Sequence, residues 1–124
     1  MKILMVDDDE ALLSFFAKQL EKRGFEIHRS VNGDEALHVW QQLGPWEFVL
    51  TAYRFMPGTI KDGVQLATAI HGINPFQRMA IMTATPTEAR GMLPDALRHL
   101  PVLRKPFRIE QVLRLLRKPV LPLS

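Results

Sequence analysis

The chain contains no cysteine, so neither a disulfide framework nor a thiolate zinc site is available to it. It has no hydrophobic run long enough to span a bilayer. The apolar start from Met1 to Val6 is broken at once by Asp7, Asp8 and Asp9, unlike a secretory signal. Internal repeats, low-complexity tracts and nucleic-acid motifs are missing as well. These absences leave a soluble, cytoplasmic protein without a membrane partner as the expectation. What is there suffices for one domain: 124 residues, 47% of them hydrophobic, can close a core without staples. The net charge of +3 is unevenly spread. Acids cluster at residues 7–10, whereas Arg98, Arg104, Lys105, Arg108, Arg114, Arg117 and Lys118 crowd the far end. Without interleaved aromatics that basic stretch reads as a solvated helix face, and nucleic acid is not indicated as a partner.

Apolar runs alternate with amphipathic stretches, the pattern of βα units around a parallel sheet. Strands are expected at Lys2–Val6, Phe25–Arg29, Trp46–Thr51, Arg78–Thr83 and Val102–Leu103. Helices are expected from Glu10 to Arg23, stopped by Gly24, and after Asn32, with Glu35 as capping-box partner and Ala36, Leu37, Trp40 and Leu43 inward. A third helix carries Val64, Leu66, Ala67 and Ile70 and closes at Asn74-Pro75. Gly91 and Pro94 make any fourth helix short or broken. Ile109, Val112, Leu113 and Leu116 face the core from a last one. The expected domain spans residues 1–118, followed by a proline-containing tail at 119–124. Right-handed crossovers place helices on both faces of such a sheet. The working site of an open parallel sheet lies at the carboxyl ends of its strands, which directs attention to Asp7–Asp9, Ala52–Arg54, Thr83-Ala84 and Lys105-Pro106.

Adjacent carboxylates after a buried strand repel each other unless a cation or a lysine neutralises them. Magnesium suits such a pair, because it takes hard oxygen ligands and keeps several waters. Asp9, just before a helix, fits the positive helix start instead. Thr83 offers a hydroxyl and Lys105 a point charge, two groups suited to phosphoryl oxygens.

Ile3-Leu4-Met5-Val6-Asp7-Asp8-Asp9, Val49-Leu50-Thr51-Ala52-Tyr53-Arg54, Ile81-Met82-Thr83-Ala84 and Leu103-Arg104-Lys105-Pro106-Phe107 together resemble the signature blocks of response-regulator receiver domains. Asn32-Gly33-Asp34-Glu35-Ala36-Leu37 and Asp62-Gly63 match secondary features, and the similarity runs over residues 2–117. The resemblance implies a five-stranded parallel sheet in the order 2-1-3-4-5, an order the chemotaxis regulator of this family exemplifies. It implies a non-enzymatic role in a two-component phosphorelay, with a sensor histidine kinase or phosphotransfer protein as partner and an output domain elsewhere as a further possibility. It also implies magnesium held by Asp7, Asp8 and the backbone carbonyl of Arg54, a phosphoryl oxygen bound by Thr83, a phosphoaspartate paired with Lys105, and a cis peptide before Pro106.

The pattern fails at its centre. Ala52 stands where the family has the phosphate-accepting aspartate. Aligning on Met56-Pro57 instead, with Phe55 as an insertion, puts Tyr53 in the slot. Neither choice restores an acid, because none lies between Glu47 and Asp62. A methyl group can neither attack a phosphoryl group nor ligate a metal, so conventional phosphorylation is excluded and magnesium should bind weakly. Val102 replaces the family's usual aromatic switch residue, and the loop at residues 55–61 is longer than the common form. Two accounts fit Ala52: a substitution that disables a receiver, or a natural receiver-like chain working through permanent protein contacts. The second would suit a homodimer through the last helix, if apolar Val102, Leu115 and Leu116 are exposed. A rival from the enzyme class is a haloacid-dehalogenase-like phosphatase built on Asp7-Asp8-Asp9, but its required downstream acidic pair is missing. A flavin carrier would need a Gly/Ser/Thr-rich phosphate loop after the first strand, and there is none.

Overall fold

The computed structural model describes residues 1–55 and 58–117. Three apolar segments occupy the middle of its sheet: β1 (Lys2–Val6), β3 (Phe48–Ala52) and β4 (Met79–Thr83). Every residue of β3 and β4 is buried, as expected for parallel strands covered by helices on both faces. The edges belong to β2 (Glu26–Ser30) and the short β5 (Val102–Arg104), which carry the charged Glu26, Arg29 and Arg104. The order is β2-β1-β3-β4-β5, with every pairing parallel. This is the architecture and strand order implied by the resemblance.

Between the strands run α1 (Glu10–Glu21), α2 (Gly33–Leu43), α3 (Gly63–Ile73), α4 (Pro86–Met92) and, last, α5 (Ile109–Arg117). Capping chemistry sets their starts. The Asp9, Asn32 and Asp62 side chains accept from the backbone N–H groups of Leu12, Glu35 and Gln65 at 3.0, 2.8 and 2.9 Å. The α1 stop depends on Gly24, whose φ of 91° is the left-handed geometry that glycine tolerates. Its N–H reaches the Glu21 carbonyl at 3.0 Å. The fourth helix is short, as Gly91 and Pro94 imply. It ends at Met92, and a single 3-10 turn, Asp95–Leu97, comes next.

Several expected details shift. The second strand begins at Glu26, because Phe25 closes the α1 stop by donating to the Leu20 carbonyl at 3.2 Å. The third begins at Phe48, because Trp46 serves another network. Its indole N–H donates to the Trp40 carbonyl at 2.9 Å, and the Trp40 indole donates to Gln77 Oε1 at 2.9 Å. Gln77 in turn donates to the Trp46 carbonyl at 3.2 Å, so the buried polar atoms of this aromatic plug are mutually satisfied. Leu43, expected inward, is 44% exposed; it closes α2, and its carbonyl accepts from the Lys2 ammonium. The capping box is also looser than expected. Glu35 Oε1 accepts from the N–H of Val31, one residue before the cap, at 3.1 Å. The expected tail at 119–124 lies outside the described residues.

Candidate functional site

Parallel pairing sets β1, β3, β4 and β5 side by side, and their carboxyl ends bring distant segments to one rim. Asp7 follows β1 and is buried at 1% exposure. Its Oδ2 accepts from the Lys105 ammonium at 2.7 Å, and its Oδ1 accepts from the Asp9 N–H at 3.0 Å. A buried carboxylate would be costly alone. Here a lysine from the other end of the chain neutralises it, with its own side chain about three-quarters covered. The Lys105 N–H donates to the Thr83 carbonyl at 2.8 Å, which fixes this lysine beside the end of β4. The Lys105–Pro106 peptide is cis, as the resemblance implied; Gly44–Pro45, for which no such expectation was made, is cis too.

Thr83 is buried. Its hydroxyl accepts from the Thr85 N–H at 3.0 Å and lies 3.2 Å from the Thr85 hydroxyl. Ala52 ends β3, paired with Met82, and its carbonyl accepts from the Thr51 hydroxyl at 2.9 Å. The start of α3 presses on this strand end. The Gly63 N–H donates to the Tyr53 carbonyl at 2.7 Å, and a β-carbon on Gly63 would lie 2.0 Å from the Ala52 oxygen. Glycine is needed there for close approach, whatever its φ.

Of the predicted site residues, Asp7, Lys105 and Thr83 come together, and Ala52 lies on a strand adjacent to both β1 and β4. Asp8 is exposed at the rim. Arg54 forms an isolated antiparallel bridge with Asp62, and its guanidinium pairs with Glu88 of α4. Val102 is half-buried on β5, opposite Ile81. The exposed apolar face expected across Val102, Leu115 and Leu116 is a correction: Leu116 is buried in the core, and the other two are half-buried. The reason is the strong amphipathicity of α5, which turns Val112 and Leu116 inward together.

Three features escaped the sequence reading. Glu88 follows Thr85 at capping-box spacing, yet no side-chain cap forms at Thr85. The carboxylate reaches across to Arg54 and lies 3.4 Å from the Tyr53 hydroxyl. The Arg54 guanidinium in turn sits 5.0 Å from the Tyr53 ring centroid. Burial first, and the Glu88 carboxylate second, push the Tyr53 phenol above its ordinary pKa. The third feature is Asp34. Its two oxygens accept from the Thr59 and Ile60 N–H groups, each at 2.9 Å, and so hold the long loop against α2. Its place in the acidic first turn of α2 signals a helix-dipole role rather than this contact with a distant loop.

The residues 3–117 match the family model described as "Response regulator receiver domain". The chain belongs to the response-regulator receiver family. A curated relative, the response regulator receiver protein CpdR of Brucella abortus (strain 2308), is 31% identical over 117 residues, covering 94% of each chain. Among solved structures, the receiver domain of the hybrid histidine kinase CckA has a TM-score of 0.72 at 25% identity, covering 94% of this chain and all of that one. The chemotaxis protein CheY4 of Vibrio cholerae superimposes with a TM-score of 0.80 at 21% identity, covering 94% of this receiver and 95% of that protein, a likeness of fold. Among the described residues no helix is long and apolar enough to cross a membrane.

Receivers generally bind magnesium at the acceptor site. In this receiver the donors fall short of such a site. Both Asp7 oxygens are engaged, Ala52 contributes no ligand, and Asp8 with the Arg54 carbonyl is left as one carboxylate and one carbonyl. Among the described residues no group of three or more His, Cys, Asp or Glu side chains could hold a metal ion. The Lys105 ammonium supplies the positive charge that a cation would otherwise bring to Asp7.

Proposed function

We propose that this chain is the receiver of a two-component phosphorelay response regulator that takes no phosphoryl group at position 52 and signals, as it stands, through protein contacts. The observation that carries the reading is the direct Lys105–Asp7 pair at 2.7 Å beside a buried Ala52. The lysine expected to meet a phosphoaspartate meets the acidic pair instead. Thr83, the expected phosphoryl ligand, has its hydroxyl engaged by Thr85. With both groups satisfied by partners within the chain, the site is held in one electrostatic state without a ligand. The partners are a sensor histidine kinase or phosphotransfer protein, magnesium binding is weak, the location is cytoplasmic and the chain is not an enzyme. Its receiver unit runs to residue 118, with 119–124 as a tail. The phosphatase alternative loses support because Asp7, its would-be nucleophile, accepts hydrogen bonds on both oxygens.

The test restores the acid. Ala52→Asp, incubated with magnesium and a small-molecule phosphodonor such as acetyl phosphate, should gain one phosphoryl group by intact-protein mass spectrometry, whereas the unmodified chain gains none. Phosphorylation of the unmodified chain at any aspartate of the rim, or none on Ala52→Asp despite correct folding, would overturn the reading. A second reading, a receiver-like module that never depended on phosphorylation, is favoured by the Val102 side chain, which lacks the family's switching ring. It predicts that phosphorylated Ala52→Asp binds its partner no differently from the unmodified chain.

A further inference from the structure

The sheet ends in two open edges. β5 offers only three residues there, whereas β2 offers five. Among the described residues no strand pairs with the outer side of β2. Which of its backbone groups face outward follows from its inner ladder. The Glu26 N–H donates to the Met1 carbonyl at 2.9 Å, and the Ser30 carbonyl accepts from the Asp7 N–H at 3.1 Å. Backbone groups alternate in direction along a paired strand. Glu26, His28 and Ser30 therefore bond inward to β1, and Ile27 and Arg29 present N–H and C=O outward. Such a row is a template for another strand.

The side chains of this edge carry charge in a particular order. Glu26 and His28, two residues apart, share one face of the sheet. They bond to each other at 2.7 Å, with side chains 60% and 30% exposed. The His28 ring is held edge-on to Trp46, centroids 5.0 Å apart. The other face carries half-buried Phe25 and Ile27 and exposed Arg29. Charges on an edge strand deter pairing when the approaching strand does not complement them. Read against itself in the antiparallel sense, Phe25-Glu26-Ile27-His28-Arg29 is its own complement.

We infer that two copies of this chain associate edge to edge through β2, antiparallel and centred on Ile27, so that their two sheets become one. The contact is isologous, the same strand serving on both sides of a two-fold axis. On that axis Ile27 meets Ile27 as a hydrogen-bonded pair. One step out, Glu26 lies opposite His28 of the second copy, in the non-hydrogen-bonded pair where side chains approach most closely. Two steps out, Arg29 lies opposite Phe25, a cation beside a ring. Parity and charge select this register. Outward-facing residues must pair with outward-facing ones, so the strand can slip only in steps of two. A slip in one direction sets His28 against His28, and in the other it sets Glu26 against Glu26. Centring on Ile27 places unlike groups together at both charged positions, and the complement each needs is supplied by a second copy of the same strand.

The experiment uses the full chain, in buffer at about pH 6, where histidine carries much of its charge. Sedimentation equilibrium should show a reversible monomer–dimer equilibrium. Amide exchange at Ile27 and Arg29 should slow as the protein concentration rises. Glu26→Lys sets a cation opposite His28, and His28→Glu sets two carboxylates opposite each other. Each substitution should weaken self-association at least about tenfold. Mixed in equal amounts, the two variants supply each other with the missing charge, and dimerisation should return to that of the unmodified chain. An unmodified chain that stays monomeric at every concentration reached would overturn the inference. So would a dimer whose Ile27 and Arg29 amides gain no protection, or one indifferent to both substitutions. A mixture that associates no better than either variant alone would do so too.

Discussion

Two ion pairs stand at the carboxyl end of the same sheet, and they are built differently. Asp7–Lys105 is a floor: its carboxylate is 1% exposed, its ammonium is fixed through the backbone to Thr83, and the sequence between its partners spans nearly the whole chain. Arg54–Glu88 is a rim: its side chains are 69% and 46% exposed, and it joins the loop after β3 to α4. Water screens the rim pair, so its geometry informs about the shape of the site more than about its stability. The floor pair has little water to fall back on. There the cost lies in losing one partner and leaving the other charge buried. The contrast shows which interaction holds the centre of this rim, beside the strand that ends in Ala52.

The largest effect should come from the floor. Lys105→Met keeps the apolar stem and removes the charge, stranding Asp7. A stability loss of about 2 kcal/mol is expected in urea unfolding at neutral pH, below the usual range for a buried pair because Lys105 is partly exposed. The same substitution should let magnesium in: added magnesium ought to raise the midpoint of Lys105→Met more than that of the unmodified chain. Equal responses would mean that the ammonium does not stand in for a cation.

The rim should respond less. Glu88→Gln removes the charge of the Arg54 partner, and a loss under about 0.5 kcal/mol is expected from the same unfolding measurement. A loss as large as that of the floor variant would erase the distinction between the two pairs.

The smallest effect is a pH dependence. Burial and then Glu88 raise the Tyr53 phenol above its ordinary value, so the folded state holds this proton more tightly than the unfolded chain does. The associated stability is fully present below about pH 10, the unfolded value, and is lost as the pH rises through the folded one. Tyr53→Phe should flatten that part of a stability profile taken in alkaline buffer. An unchanged slope would assign the dependence to other groups.

Much of the fold was legible because parallel strands buried on both faces need unbroken apolar runs, and helices beside them need one apolar stripe. Val49, Leu50, Ile81 and Met82 declare the first requirement; Leu13, Phe16 and Leu20 declare the second. The caps were legible too, since Asn32 and Asp62 act on N–H groups only three residues away. Strand boundaries were less so. Trp46 looks like a strand residue by type, but its indole N–H is committed to a carbonyl in α2. The role of Glu88 was hidden for the same reason: its carboxylate meets a guanidinium from another loop, and no side-chain cap forms at Thr85.

The sequence by itself determined the element order and the identity of the residues that reach the rim. It also determined that no acid stands between Glu47 and Asp62 to receive a phosphoryl group, because a side chain's chemistry does not depend on its neighbours. Tertiary structure alone decided how the remaining charges are used. Whether Lys105 meets Asp7, Asp8 or solvent depends on which strand ends lie side by side and how far each carboxylate is withdrawn from water. Those are properties of the assembled sheet, in which a long-range pair gains from burial what no local stretch of sequence can supply.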